Sequence, residues 1–317
     1  MWRYVIKRIL LIIPIILAVT VIVFTIMYLT PGDAVDVVVG ANATDAEREA
    51  VRESLGLDKP FIVQLLNYMK QAFLKFDLGT SLVYKTNIAD DLAARFPYSI
   101  TLAVISIVLA ICIGIPLGIY SALHQNKLGD RIAVIVAMLG VSIPHFWLAL
   151  MLVLVFSVKL GWLPAYGVGG WQYWVLPIIA SGLGGIASMA RQTRSSMLDV
   201  ITSDYIVTAR AKGVSERKIV MRHALPNALL PIITVAGTMF GGSLGGGLIL
   251  EQIFTIPGVG YYLTMGITAR DTNQVMGGVL ILSIAFCVIM LITDMIQAFV
   301  DPRVKAQYAG NVKRRKK

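Results

Sequence analysis

The sequence predicts an all-α integral membrane protein with six transmembrane helices, on three observations. Hydrophobic residues fill 57% of the 317 positions and charged residues only 15%, against roughly 25% in soluble domains. The mean hydropathy is +0.75. Uninterrupted apolar stretches recur near 9–29, 98–122, 132–158, 174–190, 229–250 and 276–299, each close to or above the roughly 20 residues a helix needs to cross a bilayer.

The first stretch follows a basic start, Arg3, Lys7 and Arg8, as a signal peptide would. Its run from Ile9 to Leu29 exceeds the about 7–15 residues of a signal core and lacks an A-x-A site, so 1–30 reads as a retained first span. Residues 31–97 read as a helical extracytoplasmic elaboration. Thr44 and Glu47 form a capping-box pair, Gly56 after Leu55 is a stop, and Pro60 opens a helix to about Lys75. Leu65, Leu66, Met69, Phe73 and Phe76 give that helix an apolar face for packing. Asn42-Ala43-Thr44 matches a glycosylation tripeptide and carries little weight.

Residues 98–300 form the membrane core, spans 2 to 6, with a long connection at 191–228, and 301–317 is a basic tail suited to anionic lipid. With the N-terminus inside, 19 of the 28 Lys and Arg residues fall on the cytoplasmic side, and the short outer loops carry only Lys159 and Arg270. That asymmetry orients the spans with both termini in the cytoplasm. Trp162, Tyr166, Trp171, Tyr173 and Trp174 mark the outer headgroup belt. The net charge of +10 is therefore read as membrane orientation rather than nucleic-acid binding. Spans 4 and 5 are dense in glycine, including Gly182, Gly184, Gly185, Gly237, Gly241, Gly242, Gly245, Gly246 and Gly247. Such spacing allows close helix contact, and a glycine-rich helix also bends easily.

Several chemistries are excluded or weakened. No phosphate-cradling G-x-x-x-x-G-K-[ST] string occurs, so the chain is not itself an ATPase. His124, His145 and His223 lie far apart, and Cys112 and Cys287 sit in apolar runs, so neither set offers metal-ligand spacing. Gly241-Gly242-Ser243-Leu244-Gly245 imitates a nucleophile motif, which keeps an intramembrane serine protease as an alternative. That serine lacks a following histidine, and His223 would lie about 30 Å away along a helix; His145 alone stands at plausible depth. A self-sufficient channel or secondary transporter is the other alternative.

The connection at 191–228 is too long for a helix hairpin. Gly213 predicts a helix stop, Ser215 the cap of a second short helix, and Pro226 its end before span 5. Ile206, Ala209, Val214, Ile219 and Val220 make one apolar side, opposite Arg210, Lys212, Arg217, Lys218 and Arg222. From these residues alone, a lipid surface and a protein partner are equally good destinations.

The same residues resemble the EAA motif of binding-protein-dependent ABC importer permeases. Val207, Thr208 and Ala209 stand in the first three places, Gly213 in the glycine place, His223 in the isoleucine place, and Leu225 and Pro226 at the end. Three of the seven places depart, Val207, Thr208 and His223. Thr208-Ala209-Arg210-Ala211-Lys212-Gly213 and His223-Ala224-Leu225-Pro226-Asn227-Ala228-Leu229-Leu230-Pro231 are similar to the first permease subunit of dipeptide and oligopeptide importers. So are Pro31-Gly32-Asp33, Leu55-Gly56-Leu57-Asp58-Lys59-Pro60, Asp77-Leu78-Gly79-Thr80-Ser81, Gly161-Trp162-Leu163-Pro164, Ile253-Phe254-Thr255-Ile256-Pro257-Gly258-Val259-Gly260 and Asp301-Pro302-Arg303, in order.

The resemblance implies a type I ABC importer transmembrane domain in a bacterial or archaeal cytoplasmic membrane. It implies a homologous second permease, two cytoplasmic ATPase subunits that hold ATP and Mg, and an extracytoplasmic binding protein that delivers peptides. The chain itself would bind no cofactor and catalyse no reaction. Val207, Thr208, Ala209, Arg210, Gly213, His223, Leu225 and Pro226 would form the ATPase-coupling loop. Glu251, at the outer end of span 5, is expected to face the translocation path, and Asp294 in span 6 to serve a structural or water-facing role.

Overall fold

A computed structural model describes residues 2–30, 34–40 and 43–300. Pro31-Gly32-Asp33, Asn42 of the glycosylation tripeptide, Asp301-Pro302-Arg303 and the basic tail lie outside the described residues. Five helices are long and apolar enough to span a membrane, and a bent pair supplies a sixth crossing. In chain order, α1 (Trp2–Leu29) leads to three shorter helices outside the bundle, α2 (Ala34–Val39), α3 (Asp45–Ser54) and α4 (Phe61–Leu74). The expected capping box holds α3: the Thr44 hydroxyl accepts from the Glu47 amide, and the Glu47 carboxylate accepts from the Thr44 amide at 2.8 Å. Gly56 takes φ +67 and Pro60 occupies the N-cap of α4. The buried residues of α4 are Leu65, which packs with Phe24 and Met276, and Ala72; Leu66 and Phe76, read as part of the apolar face, are exposed.

Helix α5 (Ile88–Leu123) starts ten residues before the apolar run. The Asn87 side chain accepts from the amides of Ala89 at 2.9 Å and Asp90 at 3.2 Å, and Asp90 and Asp91 sit in the first turn, so capping and dipole terms start the helix in water before it enters the membrane. The third apolar run is not a straight span. α6 (Leu128–Ser142) and α7 (His145–Leu152), which continues as π-helical turns over Val153–Lys159, meet at 96°. Pro144 causes the break: its ring excludes helical backbone at Ile143, which sits at φ −78, ψ 122.

Helix α8 (Gln172–Ile201) packs along α5. The approach depends on missing side chains. A Cβ on Gly118 would lie 2.5 Å from the Ala190 carbonyl oxygen, and one on Gly114 would lie 2.7 Å from the Met189 Cβ. Gly118→Ala is therefore expected to cost about 1–3 kcal/mol by forcing the two backbones apart. The purified variant should melt several degrees below wild type. Gly245→Ala, where a Cβ meets nothing within 4 Å, should melt at or above it.

After α8 come α9 (Asp204–Ala211) and α10 (Glu216–Lys218), the latter running through π-helical turns at Ile219–Ala224 into α11 (Leu225–Gly246). Pro226 was expected to end the second short helix; instead the chain stays helical from Glu216 to Gly246. The wide π turns over Ile219–Ala224 directly before it give the proline ring room within the continuous helix. The fifth span, read as 229–250, breaks at Gly247; α12 (Leu248–Ile253) and α13 (Val259–Thr268) fold back before α14 (Thr272–Val300).

Two carboxylates tie α14 to its neighbours, one at each end of the helix. Buried Asp271 accepts from the Ser81 hydroxyl at 2.6 Å, the Val83 amide at 3.1 Å and the Gln274 amide at 3.0 Å, tying the 77–87 loop to the start of α14. Asp294 forms an ion pair with Arg8 at 3.0 Å, which joins α14 to α1 and gives the expected structural role a partner. The glycine-rich face of α11 divides: Gly237 and Gly241 lie against Thr293 and Phe286 of α14, whereas Gly242 and Gly245 meet open space.

Candidate functional site

The 191–228 connection folds as an elbow. α9 ends at a left-handed glycine, Gly213 at φ +76, with the Val214 amide donating to Ala209 at 3.2 Å and the Gly213 amide to Arg210 at 2.9 Å. These two bonds satisfy carbonyls that the helix end leaves without partners. Ser215 stands at the N-cap position of α10, but its side chain makes no capping bond. The Arg210 guanidinium instead closes the turn with two bonds to Glu216, 2.7 Å and 3.3 Å. Both side chains are exposed, so this clamp adds at most about 1 kcal/mol.

The apolar side of the elbow is turned into the chain's own core. Ile206, Ile219 and Val220 are buried with Ala122, Met189 and Met197, and Ala209 and Val214 pack on the same cluster. That side is unavailable to lipid. Of the eight motif residues, Val207, Thr208, Arg210, Gly213 and Pro226 are exposed, while Ala209, His223 and Leu225 are half-buried. Tyr205 and Met221, which the motif does not include, are also exposed, at 46% and 55%. Both are large side chains left uncovered by this chain beside an ordered turn.

Above the elbow, a buried carboxylate ties three helices. Asp130, at the start of α6, receives Arg194 of α8 at 2.7 and 2.8 Å, the Ser121 hydroxyl of α5, and the Asn126 amide at 2.8 Å. No local rule names a partner for Arg194, although a cation in an otherwise apolar helix calls for one.

A cavity of about 330 Å3 lies between α5, the α6–α7 bend, α8 and α11. His145 Nδ1 is 3.1 Å from the Ala180 carbonyl oxygen, which can only accept, so Nδ1 carries the proton. The Ser106 hydroxyl is buried in the lining without a partner among the described residues. Ser243 lines the same cavity as His145, the histidine that the sequence places at plausible depth. Its hydroxyl donates to Phe240 in its own helix at 2.7 Å, and the Nδ1 partner of His145 is a carbonyl rather than a carboxylate. The three-membered arrangement of nucleophile, base and orienting acid is thus not assembled at Ser243.

Glu251, expected on the translocation path, is only 1% exposed. It accepts from the Ser99 hydroxyl at 2.6 Å and from the Tyr261 amide at 2.9 Å, and Ser99 accepts in turn from the Val259 amide at 2.8 Å. The carboxylate therefore pins the first turn of α13 to α5 and α12. These internal donors offset the cost of burying it. Its neighbour Leu250, not Glu251, lines the cavity.

Comparison with known proteins places these features in a family. The profile described as "Binding-protein-dependent transport system inner membrane component" matches residues 114–306, and its N-terminal companion matches residues 1–103. The glutathione transport system permease protein GsiC of Escherichia coli O6:H1 is 40% identical over 305 residues, covering 96% of this chain and 99% of the relative. The protein of the same description from Salmonella choleraesuis is 39% identical with the same coverage. Among solved structures, an inward-facing MetNI methionine ABC transporter aligns with a TM-score of 0.57 at 19% identity, over 66% of this chain and 96% of that one. That likeness shows the fold, a type I ABC importer transmembrane domain.

Proposed function

The chain belongs to the family of binding-protein-dependent transport system inner membrane components and is a permease subunit of an ABC importer, and from that premise we propose that the Gly213 elbow is its ATPase-docking element. The family works with ATPase and binding-protein partners in the inner membrane. In our reading one ATPase seats on Val207, Thr208, Arg210 and Gly213, together with Tyr205 and Met221. Ala209, His223, Leu225 and Pro226 set the elbow's angle from behind. The observation that carries this reading is the buried apolar side of the elbow, which leaves an ordered, exposed turn braced on α5 and α8.

The full importer would contain a homologous second permease and two ATPases that bind ATP and Mg2+, with both termini of this chain in the cytoplasm. Closure of the ATPase pair moves the spans only if the elbow binds the two ATPase states with different free energy. The cavity with His145 and Ser106 belongs to this chain's half of the path, with Glu251 one layer behind it, holding the α12–α13 corner. The cargo class is peptide, with glutathione as the first candidate from the relatives' names.

Reconstitution tests the whole. Proteoliposomes containing both permeases and the ATPases should take up labelled glutathione or dipeptide only with ATP and the binding protein. Gradient-driven flux through this chain alone would make a channel or secondary transporter the better description. In intact cells, a membrane-impermeant thiol reagent should label Ala50→Cys and miss Ser215→Cys; the reverse pattern overturns the orientation.

A further inference from the structure

A second cavity, about 850 Å3, lies outside the bundle core. It is an open groove at the far end of the molecule from the elbow, between the last two turns of α1, the α3–α4 turn, α4 and the α13–α14 turn. Its floor is apolar: Val23, Phe24, Ile26 and Met27. From Val23 to Thr30 the helix rises about 10 Å, so the groove runs from acyl-chain depth to headgroup depth. Aromatic rings mark that level, with Tyr28 edge-on to Phe61 at 5.0 Å and Phe24 at 5.7 Å from Phe61.

The rim is cationic. Among the described residues, Arg52, Lys59 and Arg270 line it, with Glu53 the one carboxylate. The Lys59 backbone is held in place, and its ammonium reaches over the turn. Gln64 donates to the Leu57 and Lys59 carbonyls at 3.1 and 2.8 Å, and a Cβ on Gly56 would lie 3.6 Å from the Lys59 Nζ, so the ammonium lies over that glycine. Tyr68 also lines the groove, and its hydroxyl is buried with no partner among the described residues. Burial pushes the Tyr68 phenol well above the ordinary tyrosine range, so it remains a neutral donor.

We propose that this groove binds one anionic phospholipid of the adjacent leaflet, its acyl chains along Val23, Ile26 and Met27 and its phosphodiester among Lys59, Arg270 and the Tyr68 hydroxyl. Three features select this occupant. An acyl chain matches the apolar floor, which no soluble anion would cover. A phosphodiester and its ester carbonyls accept from cations and a phenol alike. The excess of positive charge favours a headgroup without an ammonium, as in phosphatidylglycerol, over a zwitterionic one. The assignment does not depend on where the ATPase docks.

The purified importer with its partner subunits, equilibrated with mixed phosphatidylglycerol and phosphatidylcholine vesicles, should retain phosphatidylglycerol selectively when examined by native mass spectrometry. Lys59→Gln with Arg270→Gln should lower that retention about tenfold or more, given the attraction each cation adds near an anionic surface. Tyr68→Phe keeps the ring packing and should lower it a few-fold, which guards against a misassembled double variant. Equal retention of the two lipids by wild type, or unchanged retention in both variants, would overturn the site. Displacement of the lipid by millimolar inorganic phosphate, by peptide or by the binding protein would assign the groove to that ligand instead.

Discussion

Gly213→Asp is expected to abolish ATP-coupled uptake while leaving the spans inserted and the binding protein able to dock. The backbone at this position is left-handed, so an L side chain costs of the order of 1 kcal/mol in the chain itself. Sterically the chain tolerates more, since a Cβ there meets nothing within 4 Å. A loss much larger than that strain must therefore arise against a partner. Three substitutions separate the terms. Gly213→Asn accepts a left-handed backbone and adds no charge, Gly213→Asp adds the charge, and Gly213→Val carries the full strain. If an ATPase seats on the turn, all three should fall at least tenfold in uptake and in ATPase co-purification. If the elbow only rests near headgroups, Asn should be close to wild type and ATPase recovery normal in all three. Normal uptake and recovery at wild-type expression would remove the docking assignment.

What the sequence made legible is local. The Thr44–Glu47 box, the stop at Gly56, the start at Pro60 and the stop at Gly213 each depend on residues within one turn, and all four stand where local rules put them. The spans follow from hydropathy because a bilayer requires it. Two prolines mark the limit of such rules. The apolar run across Pro144 hides a 96° bend, since hydropathy is blind to direction. Pro226 looks like a terminator yet lies inside a continuous helix, because π turns upstream accommodate it. The same limit applies to the carboxylates: Glu251 and its partner Ser99 are 152 residues apart, and Asp130 and Arg194 are 64 apart. An ionisable residue in an apolar setting announces that it has a partner, but only tertiary structure says which. For Glu251 that partner shows a structural role, a buried carboxylate that fixes the α12–α13 corner to α5.

The second large effect is expected at Asp130, where one carboxylate holds four donors. Asp130→Ala leaves the Arg194 guanidinium, the Ser121 hydroxyl and the Asn126 amide without their acceptor. Removing one partner of a buried ion pair costs about 3–5 kcal/mol, and because the Arg194 side chain keeps 24% of its exposure the lower end applies. The melting temperature of the purified chain should drop accordingly. Pairing Asp130→Ala with Arg194→Met removes the stranded charge as well, so the double variant should recover most of the lost stability. Transport should not recover with it. The Asp130–Arg194 pair locks the α5–α6 hairpin onto α8, and α8 runs directly into the elbow. An apolar replacement restores packing energy without the bidentate geometry that fixes α8 in register. Uptake per folded transporter should therefore stay low in the double variant while ATPase co-purification stays normal. Full recovery of uptake together with stability would show that the pair serves folding alone and that motion at the elbow reaches the bundle by another route.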